Sequence, residues 1–194
     1  MSGTVRRLEV AIAQGDLDAV RSLLDREPEA LNAHFAENVG LTPLMWACRK
    51  RNAPIVRELL SRGADVDATN TQSPPGEGGN TALWFAAQGF DDGGAEIARL
   101  LLDHGAAVDT RCENGTTALY MAAAWVHPAV VELLLERGSD GGIRDADGAT
   151  ALEMLGSDLR WCEEQPSLNA HAERFRIGAP DVIAILESAA SDAV

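Results

Sequence analysis

Lysine is all but missing from this chain: Lys50 is the only one, so nearly all positive charge is arginine. The 16 basic residues are outnumbered by 30 acidic ones, a formal net charge of −14. Such a field repels a nucleic-acid duplex or an anionic membrane surface, because nucleic-acid readers present clustered Lys and Arg. Neither is expected as a partner. Cysteine is scarce and odd in number, with Cys48, Cys112 and Cys162 far apart; this argues against a disulfide framework and for a reducing, cytoplasmic setting. No apolar run approaches the roughly eighteen residues a membrane span requires. Near the N-terminus, Val10-Ala11-Ile12-Ala13 is broken at once by Gln14-Gly15-Asp16, so no secretory leader is read there. The heavy use of alanine and arginine suggests a GC-rich, bacterial genome.

Catalytic signatures are equally thin. His34, His104, His127 and His171 show no metal-ligand pairing. Asp91-Asp92 and Asp145-Ala146-Asp147-Gly148 lack the ligand spacing of a calcium loop and read as turns. Cys162 and His171 lie close in sequence without a third group to orient them. There is no Gly-rich phosphate loop after a strand and no nucleophile-elbow pattern. No catalysis, cofactor or metal is expected.

What the chain has in abundance is repetition. Thr42-Pro43-Leu44-Met45-Trp46-Ala47 returns as Thr81-Ala82-Leu83-Trp84-Phe85-Ala86 and as Thr117-Ala118-Leu119-Tyr120-Met121-Ala122. It returns more loosely at Thr150-Ala151-Leu152-Glu153-Met154-Leu155. Each threonine is placed to cap a helix, and Pro43 suits a first helical turn, where a missing N–H does no harm. A second apolar helix follows each time, ending at Gly63, Gly105 or Gly138, which predicts left-handed helix ends. The unit is an antiparallel helix pair. Ahead of the first threonine, Val5–Ala13 and Asp18–Asp25 make another pair, with Asp16 as a cap between them.

The spacing locates the irregularities. Thr117 to Thr150 is 33 residues, Thr81 to Thr117 is 36 and Thr42 to Thr81 is 39. The excess before Thr81 falls in the Pro/Gly-rich stretch 73–79. That of the third unit falls between its helices, in Asp91-Asp92-Gly93-Gly94. In the fifth unit an insertion over 157–176, carrying Trp161 and Phe175, separates the first helix from a second one expected at 181–186. It is expected to fold against the stack.

A 33-residue period carrying T-P-L-x-x-A and then L-L-x-x-G-A resembles the ankyrin repeat. The second element reads Leu59-Leu60-Ser61-Arg62-Gly63-Ala64, Leu101-Leu102-Asp103-His104-Gly105-Ala106 and Leu134-Leu135-Glu136-Arg137-Gly138-Ser139. The resemblance implies an all-α solenoid of about five helix-turn-helix repeats with protruding hairpin loops. It makes one domain over 1–194, with repeats at 5–38, 39–76, 77–111, 112–144 and 145–190. The family's usual histidine after the leucine is replaced by Met45, Trp84, Tyr120 and Glu153, so packing is expected to replace polar bracing between repeats. Arg6, Arg7 and Glu9 are expected to face outward as an N-terminal cap.

The resemblance also implies function: a monomer that binds another protein, of acidic or mixed-charge surface, through a concave groove and its loop fingers. Carried onto this chain, the groove and fingers draw on Arg49, Lys50, Arg51, Trp84, Phe90, Glu113, Asn114, Tyr120, Trp125 and Asp147. Aromatics and arginine dominate interface hot spots. Against this, Arg49-Lys50-Arg51 also fits a solvated helix end whose cations complement the dipole. Trp46 and Phe85 fit core positions. The alternative from another class is a small-molecule site or unusual enzyme, with the aromatic groove closed by the 157–176 insertion. An enclosed pocket with converging polar groups would favour it.

Overall fold

The threonine-led units do form helix pairs. The computed structural model describes residues 3–36, 38–71, 79–89, 93–164 and 170–192. Within the last two helices, the side chains of 161–164, 170–172, 174, 176 and 192 fall outside that description. Among the described residues ten α-helices pair in chain order: α1 (Gly3–Gln14) with α2 (Leu17–Arg26), α3 (Pro43–Arg49) with α4 (Ala53–Ser61), and α5 (Ala82–Ala87) with α6 (Gly93–Asp103). Then come α7 (Ala118–Ala124) with α8 (Pro128–Glu136) and α9 (Ala151–Glu164) with α10 (Ala170–Asp192). The odd-numbered helices pack on one another in sequence, and so do the even-numbered ones. The result is a two-layer stack with an inner row α1–α3–α5–α7–α9 and an outer row behind it. No β-strand occurs among the described residues; an isolated bridge joins Phe35 and Leu41. The all-α solenoid is as expected.

Each inner helix starts as its residues dictate. The hydroxyls of Thr42, Thr81, Thr117 and Thr150 accept from the backbone N–H three residues on, at 3.2–3.3 Å. A cap of this kind stabilises a helix by about 1 kcal/mol. In the fifth unit Glu153 returns the favour, accepting from Thr150 N–H at 2.9 Å, so its departure from the repeat pattern is a reciprocal cap. Leu44, Leu83 and Leu119 are fully buried two residues after their threonines, and Ala47, Ala86 and Ala122 lie beneath them. Leucine fills the space between layers. Alanine lets the outer helix approach, where Ile55-Val56, Ile97-Ala98 and Val130-Val131 close the core. Gly63, Gly105 and Gly138 end their helices at φ 82–87°, the left-handed region only glycine enters freely.

The same left-handed turn joins inner to outer helix, and there the chain is less permissive. Gly15, Arg51 and Val126 occupy equivalent positions at φ 73°, 57° and 55°. For a β-branched residue this is a costly conformation. Val126 is buried, and its side chain lies where a Cβ on Gly178 of α10 would go. The glycine makes the notch that the valine fills, and this locks the last helix onto the fourth repeat.

Several expectations need correction here. The fifth-unit insertion does not hang between short helices: α9 runs on to Glu164 and α10 already begins at Ala170. Of the extra residues, 157–164 and 170–176 are helical, and Pro180, just ahead of the helix expected at 181–186, lies inside α10. Phe175 is buried as expected; the side chain of Trp161 lies outside the described residues. In the third unit Gly93 and Gly94 belong to α6. A Cβ at Gly94 would stand 2.7 Å from the Ala86 carbonyl oxygen, so glycine is what lets α6 approach α5. Asp91, Asp92 and most of the Pro/Gly stretch before Thr81 lie outside the described residues.

Candidate functional site

Among the described residues the fingers carry no strand. Each is closed by a backbone bond across its base: Phe35 N–H to Leu41, Asn70 to Asn80, Cys112 to Thr116 and Asp145 to Ala149, at 2.8–3.2 Å. Of the side chains that stitch the fingers together, Glu113 was singled out from the sequence as part of the binding face, whereas Asn70 and Arg111 were not. Buried Asn70 donates to the Val39 carbonyl of the first finger and accepts from Asn80 N–H. Asn80, also buried, donates to Glu113 Oε2 and accepts from Glu113 N–H, both at 3.1 Å. Across the last gap Arg111 donates to the Arg144 carbonyl, and Ala146 N–H to that of Asn114. Buried amides must find partners, and here they find them in the neighbouring finger. The signal in the sequence was an asparagine at each end of the longest finger.

Polar bracing between repeats is therefore relocated, not lost. Trp84, 8% exposed, sits in the core with its indole N–H on Thr116 Oγ1 at 3.1 Å. Trp46 likewise donates to the Glu9 carbonyl at 3.2 Å. A buried indole keeps its apolar body inside only if its N–H finds an acceptor. Glu9 does not face outward as a cap residue should, since its carboxylate accepts from Asn38. Arg6 and Arg7 are exposed as expected.

The named site residues separate into three groups. Arg49 and Lys50 are exposed and lie over the Trp46 ring, 5.7 Å and 4.4 Å from its centroid. Asn114, at φ 56°, and Asp147 stand exposed on the third and fourth fingers. Tyr120 and Trp125 are half-buried on α7 and at its C-terminal cap.

Other residues of the set are committed inside the stack. Arg51 is turned away from its two neighbours: its Nη1 donates to the Ala86 carbonyl at 2.6 Å and to Phe85 at 3.4 Å. Its charge closes the C-terminal end of α5, in the next repeat. Trp84 is core, and half-buried Glu113 is bound to Asn80. Phe90 lies outside the described residues.

Around Tyr120 the field is negative. Burial and a hydrogen bond to Asp145 raise its pKa well above the usual tyrosine value, and Asp158 and Asp147 add to the effect. Asp145 titrates below the carboxylate range: burial opposes this, but bonds from Ala149, Tyr120, Asp147 and Gly148 outweigh it. Glu153 is lowered too, by the Thr150 N–H and by Arg144, 2.7 Å away.

Two hollows lie elsewhere. One of about 580 Å³ opens on the outer face of α1 and α2, between Arg6, Val10, Ala19 and Leu23. Another, of about 320 Å³, lies between α8 and α10 beside Leu135, Leu152 and Leu186. Neither is lined by Trp84, Tyr120 or Trp125, so the aromatic groove closed by the insertion gains no support from them. Burial raises the pKa of the Cys48 and Cys112 thiols, and neither is in a disulfide. Among the described residues no helix is long and apolar enough to cross a membrane.

Comparison with known proteins agrees with the geometry. A family model described as "Ankyrin repeats (3 copies)" matches residues 8–70 and 69–145. The chain is 33% identical over 138 residues to the Caenorhabditis elegans "Ankyrin repeat and KH domain-containing protein mask-1", a match covering 71% of this chain and 5% of that protein. It is 36% identical over 134 residues to the human "SH3 and multiple ankyrin repeat domains protein 1", covering 68% and 6%. A "Putative ankyrin repeat-containing protein" of Treponema pallidum is 30% identical over 140 residues, covering 72% and 43%. The chain thus spans a small part of the first two relatives and under half of the third.

Proposed function

Because the chain belongs to the ankyrin-repeat family, we propose that it is a non-catalytic module that binds another protein through the face made by its inner-helix ends and fingers. The observation that carries this reading is the pattern of exposure on that face. Arg49 and Lys50 at the end of α3 and Asn114 and Asp147 on the fingers reach solvent, and Tyr120 and Trp125 are half-buried, although α3 and α7 bury Leu44, Ala47, Leu119 and Ala122 of the repeat. Half-buried aromatics ringed by exposed polar groups are the makings of a hot spot. Arg51, Trp84 and Glu113 contribute by holding that face in shape. The partner is a protein of acidic or mixed-charge surface; a net charge of −14 disfavours nucleic acid and anionic lipid. The module acts as a monomer, and its buried free thiols suit a reducing compartment.

The test is affinity capture with three forms of the protein. Arg49→Glu with Lys50→Glu should abolish recovery of a partner that wild type retains. Arg99→Glu, exposed on the outer helix α6, should retain it, and all three should give the same helical circular dichroism. Recovery unaffected by the first pair, or lost equally with Arg99→Glu, would refute the assignment to this face.

A further inference from the structure

At the α1–α2 end, the described stack has a face with no repeat against it. α3 packs on α1 and α4 on α2; the opposite side of that pair holds the hollow of about 580 Å³. Its counterpart in an interior repeat is closed. Counted from the equivalent turns at Gly15 and Arg51, Ala19 and Leu23 correspond to Ile55 and Leu59, and Val10 to Trp46. Ile55 and Leu59 are fully buried, and Trp46 turns its indole onto Glu9 of the repeat before it. Ala19 and Leu23 are only half-buried and Val10 is 46% exposed, although Val20 and Leu24 are buried like Val56 and Leu60. The difference lies in what stands in front of the pair. Gly3, Ala11, Ala19 and Ser22 keep the floor of the hollow low.

Charge marks one end of this hollow. Arg6 and Arg7 line it, and Arg26 lies one turn beyond Ser22 and Leu23 on α2. The two helices run antiparallel, with Thr4 of α1 bonded to Glu27, so the three arginines share an end. Elsewhere in the outer row, arginines reach carboxylates of the neighbouring repeat. Arg21 meets Glu58 at 2.8 Å, Arg57 meets Glu96 at 3.2 Å and Arg137 meets Asp103 at 2.8 Å. Arg7 and Arg26 make no ion pair or hydrogen bond among the described residues. The carboxylates of their own repeat are engaged: Glu9 with Asn38, Asp16 as a helix cap, Asp18 with Arg21, Asp25 with Arg62 and Glu27 with Thr4. Against three cations that leaves Glu29, in the short 3-10 helix after α2, among the described residues.

Building on the reading of the chain as a protein-binding module, we infer that the hollow on α1 and α2 is a second docking surface, separate from the inner face, that takes an acidic amphipathic helix of a partner protein. That helix lies where a preceding repeat would pack. Its apolar stripe, at i, i+3, i+4 and i+7, covers Val10, Ala19 and Leu23. Its carboxylates meet Arg6, Arg7 and Arg26, as carboxylates of one repeat meet arginines of the next along the outer row. A helix is the form that fits, because a pair of helices offers ridges and grooves that accept another at about 8–10 Å. α1 has 12 residues, about 18 Å at about 1.5 Å per residue, so three turns of partner helix span it. A basic helix is repelled by the arginines. A second copy of the chain is disfavoured by its own net charge of −14.

The probes are end-capped synthetic peptides of about fourteen residues, titrated calorimetrically at low salt. One has leucines along a single helical face with glutamates flanking them. The second replaces each glutamate by lysine; the third keeps the first composition with its leucines distributed around the helix. Wild type should bind the first at least about tenfold more tightly than either of the others. Val10→Glu should lose that binding by a similar factor, and Arg7→Glu with Arg26→Glu should turn the preference to the lysine peptide. These side chains are exposed, so helical circular dichroism should not change. The Arg49→Glu, Lys50→Glu variant should bind the first peptide as wild type does. First and third peptides binding alike, or binding indifferent to Val10→Glu, would overturn the proposal. So would sedimentation of wild type as a dimer that Val10→Glu returns to monomer, which gives the hollow to a second copy. Binding lost with Arg49→Glu, Lys50→Glu but kept with Val10→Glu moves the helix to the inner face and overturns it too. Partner capture judges the inner face separately: indifference to Arg49 and Lys50 there refutes that face, whatever the peptides do.

Discussion

Replacing Arg51 by alanine isolates what holds the second repeat to the third. The side chain leaves a backbone at φ 57° and reaches the last carbonyls of α5, with 2.6 Å to Ala86 and 3.4 Å to Phe85. A hydrogen bond from a charged donor is worth about 1.5–3 kcal/mol, and the cation at a helix C-terminus adds about 0.3–1 kcal/mol. Water that enters the vacated space recovers part of this, so Arg51→Ala should cost about 2 kcal/mol. For a chain of this length that is a fall in Tm of about 4–8 °C. Arg51→Gly removes the same contacts but also relieves about 1 kcal/mol of left-handed backbone cost, so it should be milder than alanine. The neighbouring Arg49→Ala, exposed and lying over the Trp46 face, should stay within about 0.5 kcal/mol of wild type. Urea denaturation followed by circular dichroism measures all three. Because neighbours carry the stability of a stack, the Arg51→Ala transition should also broaden as repeats 1–2 separate from 3–5. An alanine variant as stable as wild type, or a glycine variant less stable than alanine, would refute the reasoning.

Other outcomes follow from the same geometry. Gly178→Ala drives a methyl into Val126 and should cost about 1–3 kcal/mol, whereas adding Val126→Gly should restore most of it by clearing the notch and the strained turn; thermal melts of the single and double variants decide this. Tyr120 is the sole tyrosine, so the ultraviolet tyrosinate band reports one group. It should titrate well above the ordinary value near 10 in the folded protein, and Asp145→Asn should bring it down; titration near 10 with the fold intact would count against the Tyr120–Asp145 bond. Glu58, Asp145 and Glu153 all have folded pKa values below their unfolded ones. Their contribution is therefore complete above the usual carboxylate range near 4 and is lost as pH falls through the depressed values. Asp145→Asn should flatten that acid limb in pH-dependent urea melts.

The sequence by itself determined the scaffold. A threonine, leucine and alanine at fixed offsets followed by an apolar helix and a glycine leave one arrangement of caps, core and left-handed ends. Those are local matters of hydrogen bonding and helical period, and they came out where the residues put them. The exposure of Arg49, Lys50, Asn114 and Asp147, members of the proposed binding face, was legible for the same reason, since their place follows from the register of the repeat. What the register does not contain is where a long side chain goes once its neighbour is in place. Arg49, Lys50 and Arg51 look alike in the chain, yet the left-handed turn at Arg51 swings its guanidinium onto the next repeat while the other two stay in solvent. Trp84 and Trp125 are both aromatic on an inner helix, but Trp84 meets Thr116 and is buried. The links from Asn70 to Val39 and from Asn80 to Glu113 between fingers, and the Val126–Gly178 notch, join residues about thirty or more apart in the chain. Only the stacking of repeats brings those groups within reach, so only the tertiary structure could decide them.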